Sequence, residues 1–127
     1  GISQAMEWVI TGRVFSAQEA KEHGLVSRVV PQDELMSTAR ELAKEIVENT
    51  SPLSVAVNRQ LMWKMLGADH PMESHIIESK LLYYLGKSED VQEGVQAFLE
   101  KRKPEFKSKV STDLPDFFPW WEEREFK

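Results

Sequence analysis

The sequence contains no cysteine, which removes any disulfide framework and any thiolate metal ligand or nucleophile and suits a reducing compartment. No apolar run approaches the ~20 residues that a bilayer-spanning helix needs. The N-terminus also lacks a charged leader followed by an apolar region. Positive charge is scarce: 16 Lys and Arg stand against 21 Asp and Glu, a formal net charge of −5. Such a chain has no basic field to hold nucleic acid or a membrane surface, although a local cluster such as Lys101, Arg102 and Lys103 could bind an anion. Phosphate-cradling glycine loops, zinc spacings and a nucleophile elbow around any serine are missing as well. The three histidines, His23, His70 and His75, do not share the i, i+4 spacing of metal ligands on a helix face and read as surface or capping residues. No metal site is expected, and a cytoplasmic location is.

What remains is a chain of 127 residues, 41% hydrophobic, enough for one compact core. It starts at Gly1 within an apolar periodic segment and without an initiator Met, as a sequence entered in its middle would. A preceding segment is therefore expected.

Helical spacing dominates. Ile2, Ala5, Met6, Val9 and Ile10 form one stripe closed by Gly12. Ser16 with Glu19 is a capping-box pattern for a two-turn helix that ends at His23 and Gly24. A long amphipathic helix from Gln32 to Asn49 carries Leu35, Ala39, Leu42, Ala43 and Ile46. Ser51 and Pro52 start the next helix, running through Val55, Ala56, Arg59, Met62 and Trp63 to Gly67. Asp69, His70 and Pro71 restart the pattern, which runs through Ile76, Ile77, Lys80, Leu81 and Tyr84 to Gly86. Ser88 opens a last helix with Val91, Val95, Phe98 and Leu99 on one side, ending before Pro104.

One segment breaks the helical pattern. Leu25, Val26, Val29 and Val30, stopped by Pro31, predict a short strand over about 25–30. A lone buried strand leaves backbone groups unpaired at roughly 1–3 kcal/mol each, several of which rival the about 5–15 kcal/mol that holds a domain together. It must pair with a segment outside this chain, pair with a second copy, or run as an extended connector facing water. The fold class is thus mainly α with one short strand.

Chemistry is sparse. Phe98 and Lys101 stand three apart, so one helix carries a ring and an ammonium suited to an adenine or a pyrophosphate. Lys101 also lies where the helix dipole favours a cation. On the residues alone, a core Phe98 beside a dipole-satisfying Lys101 is the commoner arrangement. The aromatic run Phe117 to Trp121 reads as a tail covering an apolar groove, or as an association motif.

Three blocks, AMEWVITGRVFSAQEAKEHGLVSRVVPQDEL, AKEIVENTSPLSVAVNRQLMW and EGVQAFLEKRKPEF, stand in the order that resembles the C-terminal half of the crotonase, or enoyl-CoA hydratase/isomerase, superfamily. The resemblance covers about 1–106, a helical oligomerisation part; 107–127 departs from it as an extended aromatic tail. It implies an N-terminal spiral of β-β-α units that binds acyl-CoA and supplies the sheet that 25–30 would join. It also implies assembly as a homo-oligomer, a trimer or hexamer. In hydratases of this family two glutamates activate a water that adds across the double bond of a 2-enoyl-CoA, while two backbone N–H groups hold the thioester enolate. No glutamate here sits in the matching motif, so the catalytic residues are expected upstream of Gly1 and the chain alone is expected to be inactive. Coenzyme A enters as the substrate's thioester carrier, with no prosthetic group. The family's last helix sets a phenylalanine and a lysine against the CoA, often that of a neighbouring subunit, and these match Phe98 and Lys101. The alternatives are a stand-alone helical assembly module or another reaction of the superfamily: isomerase, hydrolase, dehalogenase or decarboxylase.

Overall fold

The computed structural model describes residues 1–123 and 125–126. Six α-helices follow in order: α1 Ile2–Thr11, α2 Ala17–Glu22, α3 Leu35–Asn49, α4 Pro52–Met65, α5 Pro71–Leu85 and α6 Glu89–Glu100, with a 3-10 turn at Gln32–Glu34 leading into α3. The chain forms two compact units, Gly1–Leu42 and Ala43–Lys127.

In the first unit α1 ends where Gly12 takes the left-handed conformation, φ 59°, and donates to Trp8 O. The indole of Trp8 stacks on Phe15 with ring centroids 4.2 Å apart, and its Nε1–H donates to Glu19 at 2.9 Å. Arg13 joins Glu19 and Glu7. Half of the expected capping box is present: Ser16 Oγ accepts from the Glu19 N–H. Glu19 does not reciprocate, because its carboxylate is held by Arg13 and Trp8, which bring its pKa down to about 2.

The expected strand over 25–30 is not formed, and no strand occurs among the described residues. Part of the reason is local. Gly24, φ 74°, donates to Lys21 O and Leu25 donates to Ala20 O, the paired bonds of a Schellman motif that ends α2. Val26 N–H also goes back to Ala20 O. The first two residues of the apolar run thus cap a helix, and the rest have no edge to join.

In the second unit α4 and α5 lie against each other. Leu53 and Val57 from α4, Leu81 from α5 and Ala97 from α6 are buried, each large side chain contributing about 1.5–3 kcal/mol. The expected starts hold: Ser51 Oγ accepts from Ser54 N–H, His70 Nδ1 from Met72 N–H, and Ser88 Oγ from Val91 N–H. The expected apolar stripes do not all face inward. On α4 the buried positions are one helical row, while Met62 and Trp63 are exposed; on α6 Val91, Val95, Phe98 and Leu99 are exposed and the inward face is Asp90 and Ala97.

After α6 no further helix or strand occurs among the described residues. The chain folds back so that the Phe106 ring covers Gly94; a Cβ at Gly94 would stand 3.6 Å from it. Further on, Phe117 meets Tyr84 edge to face, and Phe118, Trp120 and Trp121 form a mutual edge-to-face cluster. Trp121 takes the ammonium of Lys64 over its ring at 4.3 Å.

Candidate functional site

The C-terminal end of α6 carries the sequence-predicted pair. Phe98 is 83% exposed within this chain and so does not contribute to the core of its own unit. Lys101 is not on the helix face that the i, i+3 spacing assumed, since α6 ends at Glu100. It sits one residue beyond, with φ 54°. Lys101 N–H donates to Phe98 O at 3.3 Å and Arg102 N–H to Ala97 O at 3.0 Å, the same Schellman pattern that ends α2. Here a lysine occupies the left-handed position normally given to glycine, at a cost of about 1–2 kcal/mol.

Three cations follow one another at Lys101, Arg102 and Lys103, and they are not equivalent. Arg102 forks onto Glu93, Nη1 to Oε1 at 2.6 Å and Nη2 to Oε2 at 2.8 Å, and its Nε donates to Glu100 at 2.6 Å. Lys103 pairs with Glu48 on α3 at 2.8 Å. Lys101 has no ion-pair partner among the described residues. The anion-binding capacity read from the whole cluster thus rests on Lys101.

Two carboxylates one turn apart on α6 fasten the returning chain. Glu93 accepts, besides Arg102, the backbone N–H of Glu105 at 2.7 Å, and these contacts hold its pKa down to about 2. Asp90 is buried and accepts from Ser51 Oγ at 2.6 Å, Lys107 N–H at 3.0 Å and Ser108 N–H at 3.2 Å. Burial alone would push the Asp90 carboxyl up, but the hydrogen bonds from Ser51, Lys107 and Ser108 outweigh it and its pKa is lowered. Sequence reasoning did not single out Asp90 or Glu93, and took Arg102 only as one of three cations that could bind an anion. A first-turn acid such as Asp90 has a sufficient role in serving the dipole, and the nine-residue separation of Glu93 and Arg102 lies outside helical pairing rules.

The remaining candidates do other work. His70 caps α5 and His23 stands edge-on to Trp8. Among the described residues no group of three or more His, Cys, Asp or Glu side chains is arranged to hold a metal ion, and no helix is long and apolar enough to cross a membrane.

The fold is shared with solved enoyl-CoA hydratase/isomerase structures. A probable enoyl-CoA hydratase/isomerase from Mycobacterium abscessus superposes with a TM-score of 0.79 at 32% identity, over 83% of this chain and 43% of that one. An enoyl-CoA hydratase subunit from Geobacillus kaustophilus gives 0.71 at 41% identity, over 84% and 41%. The class is therefore the helical portion of that fold. The family described as enoyl-CoA hydratase/isomerase matches residues 1–109, and the chain belongs to it. Among curated relatives, an enoyl-CoA hydratase of Alternaria alternata is 36% identical over 107 residues, 84% of this chain and 36% of the relative. A carnitinyl-CoA dehydratase of Salmonella typhi is 43% identical over 108 residues, 81% of this chain and 40% of the relative. The chain thus spans about two-fifths or less of the length of the relatives it matches.

Proposed function

We propose that this chain is the C-terminal helical part of an acyl-CoA enzyme, an enoyl-CoA hydratase that adds water across the double bond of a 2-enoyl-CoA in acyl-CoA metabolism. Its own share of the work is assembly and one edge of the coenzyme A site. The observation that carries the reading is the end of α6, where an exposed Phe98 and an exposed Lys101 with no ion-pair partner among the described residues adjoin within a region matched to the family. An exposed ammonium suits a phosphate of coenzyme A, and an exposed ring suits its adenine. The relatives named as a hydratase and a dehydratase support water addition or removal as the reaction class. The substrate is a coenzyme A thioester, no prosthetic group is called for, and the reacting groups belong to a preceding half that provides the spiral domain. The working assembly is a cytoplasmic homo-oligomer, trimer or hexamer, supported by exposed apolar side chains on α1, α4 and α6 such as Ile2, Val9, Met62 and Leu99.

Crotonyl-CoA hydration, followed by loss of the enoyl thioester absorbance, tests this. The longer protein turns over, and these 127 residues alone do not; turnover by the chain alone would show that the active site lies within it. The same exposed apolar side chains favour a second reading, a helical assembly module without chemistry. A reading frame that opens at Gly1 supports that module, and a longer frame with a β-rich half removes it. Sedimentation showing a strict monomer contradicts assembly under either reading.

A further inference from the structure

The three left-handed residues among those described differ in one respect. Gly12 and Gly24 take φ 59° and 74° without penalty, whereas Lys101 takes φ 54° carrying a full side chain. The ends of α2 and α6 share the same pair of closing hydrogen bonds, so the turn itself does not require lysine. Something beyond the turn holds it there. The residues on either side of Lys101 are tied to each other, Arg102 Nε to Glu100 at 2.6 Å. Arg102 is gripped from below by both oxygens of Glu93, and Glu93 also takes the backbone N–H of Glu105, closing the far side of the turn.

We infer that Glu93 is a positioning residue for Lys101: by clamping Arg102 and the Glu105 backbone to α6 it holds Lys101 in a left-handed turn that would otherwise favour glycine, fixing the ammonium at the coenzyme A contact. This rests on the proposed acyl-CoA function. The Glu93 carboxylate takes three protein donors, both terminal nitrogens of Arg102 and the Glu105 N–H, and acts through them. Of the basic triplet, Arg102 and Lys103 are paired and Lys101 has no ion-pair partner among the described residues: the Arg102–Glu100 tie spans the turn, and Lys101 stands between its two ends.

Calorimetric titration with coenzyme A of the longer enzyme, in wild type, Lys101→Ala, Glu93→Gln and the double variant, tests this. Lys101→Ala weakens binding about three- to tenfold, as loss of a solvent-screened hydrogen bond does, and reduces the salt dependence of the dissociation constant. Glu93→Gln weakens it severalfold although Lys101 is intact, and the two losses do not add in the double variant. A merely structural loss would not produce that coupling. Arg102→Lys, which keeps the charge and loses the fork, falls between and serves if Glu93→Gln does not fold. Lys101→Gly weakens binding as the alanine does yet raises the melting temperature by roughly 2–8 °C. Loss of affinity in Lys101→Ala with none in Glu93→Gln and Arg102→Lys, fully additive losses, or no thermal gain in Lys101→Gly would each overturn the positioning role while leaving the acyl-CoA reading standing. Unchanged affinity in Lys101→Ala would instead remove the coenzyme A contact, and the inference with it.

Discussion

The hydroxyl of Ser51, at the start of α4, donates to Oδ2 of Asp90, in the first turn of α6, at 2.6 Å across a buried gap. The other oxygen of Asp90 takes the Lys107 and Ser108 backbone N–H groups. One carboxylate therefore joins two helices and the returning C-terminal chain. Asp90→Ala leaves a buried hydroxyl and two backbone donors unmet and lowers unfolding free energy by about 3 kcal/mol, given roughly 1–3 kcal/mol per unmet buried group and partial rescue by water. Ser51→Ala costs less, about 1–2 kcal/mol, because it removes a cap and one donor. Urea unfolding of the two single variants and the double variant checks this; the double loses less than the sum, since both remove the same bond.

The acid side of the stability profile follows from the same cluster. Asp90 and Glu93 both have lowered pKa values in the folded chain, Glu93 to about 2. A carboxylate with a depressed folded pKa binds its proton more readily when unfolded, so its contribution is fully present above the unfolded value and is lost as pH falls through the folded one. Stability is therefore flat from neutral pH to about pH 5 and declines toward pH 2. Glu93→Gln flattens part of that decline. Urea midpoints at pH 7, 4 and 2.5 measure it, and an undiminished slope in the variant would remove Glu93 from the cause.

Helix ends were the most legible feature of the sequence, because capping is local chemistry: Ser16, Ser51, His70 and Ser88 all sit where their side chains accept a first-turn N–H. Which face of each helix lies inside was less legible. Helices α4 and α6 carry apolar residues on more than one side, so periodicity does not choose between the row of Leu53 and Val57 and that of Met62 and Trp63. At the candidate site the spacing singled out Phe98 and Lys101 and the family resemblance gave them a coenzyme A role, while nothing in the spacing announced that Lys101 leaves the helix, since a lysine in a left-handed turn has no sequence signal. The Glu93 and Asp90 clamps depend on chain reversal after Pro104, a tertiary event.

Two glycines separate packing from backbone freedom. Gly86 caps α5 with φ −60°, a conformation any residue adopts, yet a Cβ there would meet the Leu82 carbonyl oxygen at 2.8 Å. Gly86→Ala therefore forces a backbone shift and costs about 1–3 kcal/mol. Gly67 has open space where a Cβ would go and no left-handed backbone, so Gly67→Ala gains about 0.4–1 kcal/mol by restricting the unfolded chain. Melting temperatures of the two variants move in opposite directions; a matching fall in both would mean that space around the Cβ is not the deciding factor.

The segment 25–30 offers a test of what the apolar run joins. Leu25 and Val26 N–H groups bond to Ala20 O at 2.8 and 3.4 Å, whereas those of Ser27, Arg28, Val29 and Val30 have no acceptor among the described residues. In this chain alone, amide exchange at residues 27–30 proceeds at rates close to those of an unstructured peptide, while Leu25 is protected by the helix end. In the longer protein, entry into a sheet protects alternate amides along the run, because a strand at an edge donates with every second residue. Concentration-dependent protection in the chain alone points instead to pairing with a second copy. Absence of protection in both leaves the run as a solvent-facing connector, and the sheet proposed ahead of Gly1 then has to be completed without it.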